Sequence, residues 1–564
     1  MEQTSMSKLD YKPEGIAGKR WFYRLWEIAP GLTSWSILLA PVVLALTYPL
    51  VLAYFIIAFD IFWLLKSFRM SFGLVEGYTI FKKAEKINWN VRIEELKDVD
   101  GHLKAWQDKL NELKKPNYLA HSITSRKKKH YDKCKEEVQR LAQIHDHLPT
   151  MIQPSEIYHV IITAVYNESI EVLRPSLEAI LKSKYDPEKI IFVLAYEERG
   201  GDDVRKTVAT LEKEYGKKFG GYLSICHPDG LKNEIRGKGA NITYAGRIVK
   251  TYLEERKINP ENAVVTTLDS DHRPDPNYLP YLTYEYCINP NRTHVSFQPM
   301  AMFFNNIWDA PAPMRVIATG NSFWLMMESV RHYRLRNFAA HAQSMKTLID
   351  TDFWSVTSIV EDGHQYWRTF YTYDGDHLVE PLYVPIYQDA VLADNYRKTF
   401  INQYKQLRRW AYGASDIPFV VTNNITNKKI GFGKKWLQFS RLVEGHISWA
   451  TAPLIITFAA WAPLLLNDDF GRQVIAHQLP VMASRILTVA LLGQFITILL
   501  SLLMLPPRPK NYHRAKTIFM VLQWLLVPIT SILFGSAAAL DAQTRLMLGR
   551  YPKAFDVTEK AVKK

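Results

Sequence analysis

The sequence predicts an α/β protein: a mostly parallel sheet flanked at both ends by membrane-spanning helices. Three observations predict it. Short, continuous β-branched runs alternate with helical stretches in the middle of the chain, as expected for strands buried on both faces of a parallel sheet. Long stretches almost without charge stand on either side of that region, and their lengths suit a bilayer. Lysines and arginines number 70 against 56 acids, a balance that suits anionic lipid headgroups, phosphorylated substrates or nucleic acid. The chain of 564 residues is 48% hydrophobic and 22% charged, which excludes a disordered protein. Its three cysteines, Cys134, Cys226 and Cys287, form no CxxC pair, so neither a cysteine zinc site nor a disulfide framework is expected.

In chain order, residues 1–34 read as a basic cytoplasmic tail and 35–66 as a hairpin of two spans. Trp35 to Leu65 carries one formal charge, Asp60. As one helix it would run about 46 Å, against roughly 30 Å of hydrocarbon. Pro49 lies near its middle and would end one helix and open another; a single long, tilted helix is the alternative. A cleavable signal peptide fits poorly, because the stretch starts late, is too long and lacks a small-residue cleavage site. Asp60 at the bilayer centre would be functional by default, but the favoured reading puts it where the span meets water, near Trp63 and Lys66. Residues 67–156 are polar and mostly helical in pattern. Their basic run, Arg126 to Lys129, reads as a solvated face, with anionic lipid as the second reading.

From residue 157 the texture changes. Tyr158 to Val165, Lys189 to Ala195 and Ala263 to Leu268 read as three buried strands. Between them the pattern is helical, and the first intervening helix carries Pro175. In such sheets ligands bind beyond the carboxyl ends of the strands, so the residues just after each strand are the candidates. After the third strand comes Asp269-Ser270-Asp271. Two carboxylates at a strand end can hold a hard divalent cation whose other ligands are waters and phosphates; a solvated turn is the plain alternative. Arg236-Gly237-Lys238-Gly239 precedes a helix. Its glycines permit close backbone approach and its lysine can meet a diphosphate, against the alternative of a surface loop. Glu361-Asp362 could supply a general base or merely an acidic first turn of a helix. In Gln406-Leu407-Arg408-Arg409-Trp410, arginine offers a fork for phosphate and tryptophan a face for a sugar ring, although both residues also suit a membrane-surface helix.

Residues 416–446 read as interfacial, and three apolar stretches follow within 447–541: Ile447 to Leu466, Leu479 to Leu505 and Ile518 to Leu540. Asn467 to Gln478 carries two aspartates and one arginine, whereas Pro506 to Lys516 carries four cations and no acid. Positive charge stays inside, so the second loop and the N-terminal tail are assigned to the cytoplasm, with 542–564 as a basic cytoplasmic tail.

No one of these motifs decides the function; their order does. VYNES (165–169), GKGAN (237–241), LDSDHRPDP (268–276), EDGHQYWR (361–368) and QLRRWAYG (406–413), with apolar spans on both sides, resemble the membrane-embedded family-2 glycosyltransferases. Bacterial cellulose synthase and hyaluronan synthase are well-known members. The resemblance covers residues 157–415, and Phe555 to Lys560 (FDVTEK) resembles the FxVTxK gating-loop motif of cellulose synthases. It implies a GT-A-like domain over 157–415 that uses a nucleotide sugar, a UDP-sugar first. It implies Mg²⁺ or Mn²⁺ on Asp271 and Asp269, and donor contacts from Glu168, Glu197 and Lys238. Asp362, with Glu361 beside it, becomes the catalytic base. Gln406, Arg409 and Trp410 would line the site where diphosphate meets the acceptor, with Thr558 and Lys560 on a gating loop. Two departures stand out. Tyr196-Glu197-Glu198 replaces the family's aspartate pair, which leaves base contact through Glu197 open, and Val360 replaces its threonine.

The reading that follows is an inverting glycosyltransferase of the plasma (inner) membrane with its catalytic domain in the cytoplasm. It would extend a saccharide acceptor, with export of the growing polysaccharide across the bilayer and an accessory export subunit as a partner. Transfer of one sugar to a lipid carrier is the second reading, and a nucleotide-sugar sensor without turnover is the third. Nucleic acid is not an expected partner, because no recognised binding module is present. The topology holds a conflict. A gating motif at 555–560 must face the cytoplasm, whereas three full crossings after the catalytic domain would carry it outside. Either Ile518 to Leu540 is a re-entrant hairpin around Pro528, or another segment is interfacial.

Overall fold

The computed structural model describes residues 18–113 and 125–552; Thr558, Lys560 and the rest of the FDVTEK stretch lie outside them. Strands β1 (Tyr158–Val165), β2 (Ile190–Glu197) and β4 (Ala263–Asp269) stand where β-branched runs predict them. Five more join them: β3 (Gly221–His227), β5 (Arg273–Pro274), β6 (Val295–Met302), β7 (Ala342–Ser344) and β8 (Leu378–Tyr387). Among the described residues these form one sheet in the order β3-β2-β1-β4-β7-β6-β8-β5. The β3-β2-β1-β4 half is parallel, β7 runs antiparallel to both β4 and β6, and β6 is parallel to β8. This is the mostly parallel α/β sheet that the sequence predicts.

Both faces of the parallel half are covered, which is why β1 and β2 read as unbroken apolar runs. Successive side chains alternate between faces. Ile161, Phe192 and Leu194 pack with Leu173, Leu177 and Leu211 of the helices Ile170–Leu181 and Gly201–Tyr215. Val160, Ile162 and Val193 pack with Ile242, Ala245 and Val249 of the helix Lys238–Glu255 on the other face. Burying each such side chain contributes about 1.5–3 kcal/mol. The register then levels the strand ends. Val165 pairs with Tyr196 across β1 and β2, and Ala164 pairs with Asp269 across β1 and β4. The residues that follow all three strands therefore emerge along one edge.

Among the described residues five helices are long and apolar enough to cross a membrane: Arg20–Thr47, Pro49–Ala84, Phe432–Leu466, Val474–Met504 and Ala515–Met547. The first two are separate helices broken at Tyr48, and Pro49 opens the second, where its missing N–H is no loss. That second helix does not stop at the end of the apolar run. It continues to Ala84, and Leu74, Phe81 and Ala84 enter the main core of the α/β domain. Asp60 does not lie at a wet helix end as the favoured reading had it: it is 1% exposed within the helix packing, and Lys66 pairs instead with Glu444 at 2.7 Å.

The last apolar segment is not a straight rod. It passes through a 3₁₀ turn at Gln523–Leu526 and a π turn at Ser531–Ser536. Near its start Arg315 Nε donates to Gln523 Oε1 at 2.5 Å, and Tyr512, just before it, bonds Asp309. Near its end Asp541 accepts from Arg408 at 3.2 Å and from the Tyr404 hydroxyl at 3.4 Å. Both ends thus lie against the α/β domain and its adjoining helix.

Candidate active site

Four segments that are far apart in sequence converge at the carboxyl edge of the sheet. Lys238 is the first residue of its helix. Its Nζ lies 2.6 Å from Asp269 Oδ1 and 3.8 Å from Glu361 Oε1. Gly239 makes this approach possible, since a Cβ there would stand 2.5 Å from the Ser355 carbonyl oxygen and 3.0 Å from Glu361 Cβ. A side chain larger than hydrogen would push the lysine helix and the Glu361 helix apart.

The Asp269-Ser270-Asp271 turn is held from several sides. Ser176 Oγ donates to the Ser270 carbonyl at 2.7 Å, Asn305 Nδ2 donates to the Asp271 carbonyl at 3.1 Å, and Asp271 Oδ2 accepts from Asp389 N–H at 2.9 Å. Ligand atoms of Asp269, Asp271 and His272 lie within 4.8 Å of one another. His272 is 1% exposed, and its Nδ1 accepts the Asp269 backbone N–H at 3.1 Å. That bond occupies the Nδ1 lone pair, so the proton sits on Nε2, which faces Asp269 Oδ2 at 3.5 Å. The donor set available to an ion is therefore two carboxylates, which fits a hard cation, with His272 as the donor that orients one of them.

Glu361 and Asp362 open the helix Glu361–Thr372. Burial pushes Glu361 up to about 7, with repulsion from Asp362 adding to it and Lys238 opposing. Burial also raises Asp362, opposed by Lys238, by the Gly363 N–H at 2.8 Å and by Arg409. Lys238 in turn is lowered by burial, but Asp269, Glu361 and Asp362 outweigh this and hold it above the ordinary lysine value. A buried carboxylate with raised proton affinity beside a fixed cation is chemically suited to accept a proton.

The helix Tyr396–Ala411 presents two faces. Tyr404 and Arg408, four residues apart, meet Asp541. Gln406, Arg409 and Trp410 share the opposite face at i, i+3 and i+4 spacing. Gln406 Oε1 accepts from Gln403 at 3.1 Å, and Trp410 lies 6.2 Å from the Phe303 ring. At the end of β2, Glu197 is 6% exposed and accepts from Arg199, whose guanidinium lies 4.2 Å from the Tyr166 ring centroid. A cavity opens there between Glu197, Arg199, His227 and Arg236. Glu168 caps its own turn by accepting the Tyr166 N–H at 2.7 Å, so among the described contacts it is a local turn-former.

Sequence reasoning passed over two buried groups. His272 stands inside a quoted motif but was given no role. His364 Nδ1 donates to Asp416 Oδ1 at 2.7 Å, and both residues are buried. Asp416 begins the helix that follows the Arg409-Trp410 segment, so the pair ties that segment to the Glu361 helix. Local sequence carries no sign of a contact between residues 52 positions apart.

No family model matches the chain, and no curated protein matches it. Solved structures do. A mannosyltransferase from Pyrobaculum calidifontis, in complex with GDP-Man and Mn²⁺, is 13% identical over 71% of this chain and 89% of its own, with a TM-score of 0.39. TarS 1–349 of S. aureus is 13% identical over 60% of this chain and 90% of its own, with a TM-score of 0.32. GalNAc-T7 with UDP, GalNAc and Mn²⁺ is 9% identical over 52% of this chain and 58% of its own, with a TM-score of 0.31. At these identities and scores the likenesses carry no argument about what this chain does.

Proposed function

We propose that the chain is a membrane glycosyltransferase that transfers a sugar from a nucleotide sugar to a saccharide acceptor with inversion. One observation carries the reading: residues from four separate motifs gather at one place, where Lys238 meets Asp269 and Glu361 and the charges of Lys238 and Arg409 act on Asp362. A solvated turn, a surface loop and an acidic helix start would have no reason to meet.

In this reading the diphosphate lies between Asp271, Lys238 and Arg409, and the nucleobase lies toward Glu197 and Arg199. A divalent ion, Mg²⁺ or Mn²⁺, held by Asp269 and Asp271 would neutralise charge on the diphosphate. An acceptor hydroxyl, its ring against Trp410 and Gln406, attacks the anomeric carbon from the side opposite the diphosphate. The new C–O bond forms as the bond to the diphosphate oxygen breaks, and Asp362 takes the hydroxyl proton. Arg409 adds positive charge near the leaving group. The catalytic domain is assigned to the cytoplasm from the basic Pro506–Lys516 loop. The last apolar segment, whose two ends both meet the catalytic side, is read as re-entrant. The described chain then ends at Pro552 on that side, and a gating role for Thr558 and Lys560 rests on the FDVTEK resemblance alone.

The test is release of nucleoside diphosphate by purified protein given a panel of UDP- and GDP-sugars with Mg²⁺ or Mn²⁺. Release with one donor, lost in Asp271→Ala and Asp362→Asn, supports the reading. Silence with every donor and a range of saccharide acceptors would sink it. Product sizing then separates a growing polymer, exported or not, from a single lipid-linked sugar.

A further inference from the structure

Away from the transferase cluster, the structure gathers like charges where two apolar helices leave their apolar runs. Lys66 and Arg69 follow directly on the apolar run that ends at Leu65, and Arg441 comes shortly before the one that begins at Ile447. Arg331, Arg334 and Arg336 lie between them, on the loop after the helix Ala312–Ser329. These groups form one connected patch. Arg69 Nη2 donates to the Tyr333 hydroxyl at 3.4 Å, Arg331 Nη2 to the Arg69 carbonyl at 3.4 Å, and Arg441 Nη1 to the Tyr333 carbonyl at 2.8 Å. Three carboxylates meet the described patch, one of them, Glu380, at His332 Nδ1 of the same loop at 3.0 Å. Glu328 lies 3.4 Å from Arg334 and 3.8 Å from Arg331, and Glu444 lies 2.7 Å from Lys66 and 3.9 Å from Arg334. Six lysine and arginine cations against three anions leave a local excess of three positive charges.

Such an excess is held against mutual repulsion. Burial lowers Arg331 and Arg336 below the usual arginine value, and the neighbouring Arg334 adds to it in both. One end of the patch turns inward: the Arg336 guanidinium lies over the Tyr366 and Trp367 rings at 4.0 and 4.6 Å, and its Nη2 donates to Gln438 Oε1 at 2.7 Å. Among the described residues, its Nη1 is buried without a hydrogen-bond partner. Buried donors of this kind ordinarily find an acceptor. The surroundings say which acceptor. Tyr333, which Arg69 and Arg441 both contact, and Phe72, one turn beyond Arg69, are exposed at 48% and 71%, as expected of side chains at the headgroup level of a bilayer. A basic pocket between membrane helices at that level suits a lipid phosphate.

We propose that the Arg69–Arg331–Arg441 patch is a binding site for the headgroup phosphate of an anionic phospholipid. The lipid would seat its acyl chains against the helices Pro49–Ala84 and Phe432–Phe458. Neither the site nor the test depends on the glycosyltransferase reading.

The experiment titrates the full-length protein in neutral detergent with phosphatidylglycerol, with phosphatidylcholine of the same chains, and with inorganic phosphate. Bound lipid is read by native mass spectrometry and protection by thermal melting. Phosphatidylglycerol is expected to bind more tightly than phosphatidylcholine, while millimolar phosphate gives no protection. Arg331→Gln with Arg441→Gln should weaken phosphatidylglycerol about 25-fold, at roughly 5-fold per arginine near a headgroup. Arg69→Gln, a change at an exposed side chain, should weaken it roughly 5-fold and serves if the double variant does not fold. Equal binding of the two lipids, or a preference that survives Arg69→Gln and the double change, would overturn the proposal. Protection by phosphate equal to that by phosphatidylglycerol would make this a soluble-anion site and overturn it as a lipid site.

Discussion

Lys238 Nζ stands 2.6 Å from Asp269 Oδ1, across the gap between the start of one helix and the end of β4. The contact joins two motifs that looked separate in sequence, and it places one buried cation among Asp269, Glu361 and Asp362. Replacing Lys238 by Met removes the cation and leaves three carboxylates to repel one another. A charged hydrogen bond is worth about 1.5–3 kcal/mol, so nucleoside diphosphate affinity should fall roughly 10- to 100-fold. Isothermal titration calorimetry reads this, and an unchanged Kd would remove Lys238 from the diphosphate site.

Asp362→Asn keeps the shape and removes the proposed proton acceptor. Turnover should fall about 10²- to 10⁴-fold, with nucleotide affinity within a few-fold of the parent. Near-normal turnover would assign the base elsewhere, with Glu361 the next residue to replace.

Glu361 gives a pH signature. Its carboxyl is raised from 4.5 to about 7 in the folded protein, so the folded state binds the extra proton. The stability this contributes is fully present below pH 4.5 and is lost as pH rises through about 7. In metal-free buffer the melting temperature of Glu361→Gln relative to the parent should therefore climb between pH 5 and pH 7.5. A constant difference across that window would show that Glu361 titrates normally.

The bond from Asp269 N–H to His272 Nδ1 makes a prediction about metal binding. Asp271→Ala should abolish Mn²⁺ binding read by electron paramagnetic resonance. His272→Asn should retain it, weakened roughly 10- to 100-fold, as expected when a residue orients a ligand without being one. Electron spin echo modulation from a directly bound histidine nitrogen in the parent protein would contradict this.

Asp416→Ala strands His364 in a buried site. Leaving a buried donor without its acceptor costs about 1–3 kcal/mol, whereas Asp416→Asn keeps an oxygen that His364 Nδ1–H can reach. Chemical denaturation should separate the two variants by at least half of that cost. Equal stability would mean that the pair contributes nothing.

Much of the sheet was legible because β1, β2 and β4 are covered on both faces, and double burial writes itself as an unbroken apolar run. β6 and β8 were not, although β6 is buried throughout. Pro299 interrupts β6 at a register shift, and Pro381 and Pro385 lie within β8; proline cannot donate to the ladder and is a poor sign of an inner strand. β3 was missed for another reason, because its side chains are half exposed and mix Gly, Tyr, Ser and His with Leu and Ile.

The local sequence by itself determined which residues could do chemistry, since carboxylates after strands, a glycine-flanked lysine and an arginine-tryptophan pair are matters of residue type and spacing. It also determined the apolar helices, whose length and composition need no partner to be recognised. Only the tertiary structure decided which of these groups meet. The contact of Lys238 with Asp269 and Glu361, the link from His364 to Asp416 and the return of the last apolar segment to the α/β domain all join residues far apart in the chain. Such contacts are set by how strands level their ends and how helices pack across them. The patch around Arg331 shows the same division: each arginine was an ordinary basic residue in sequence, and only packing brought their charges together.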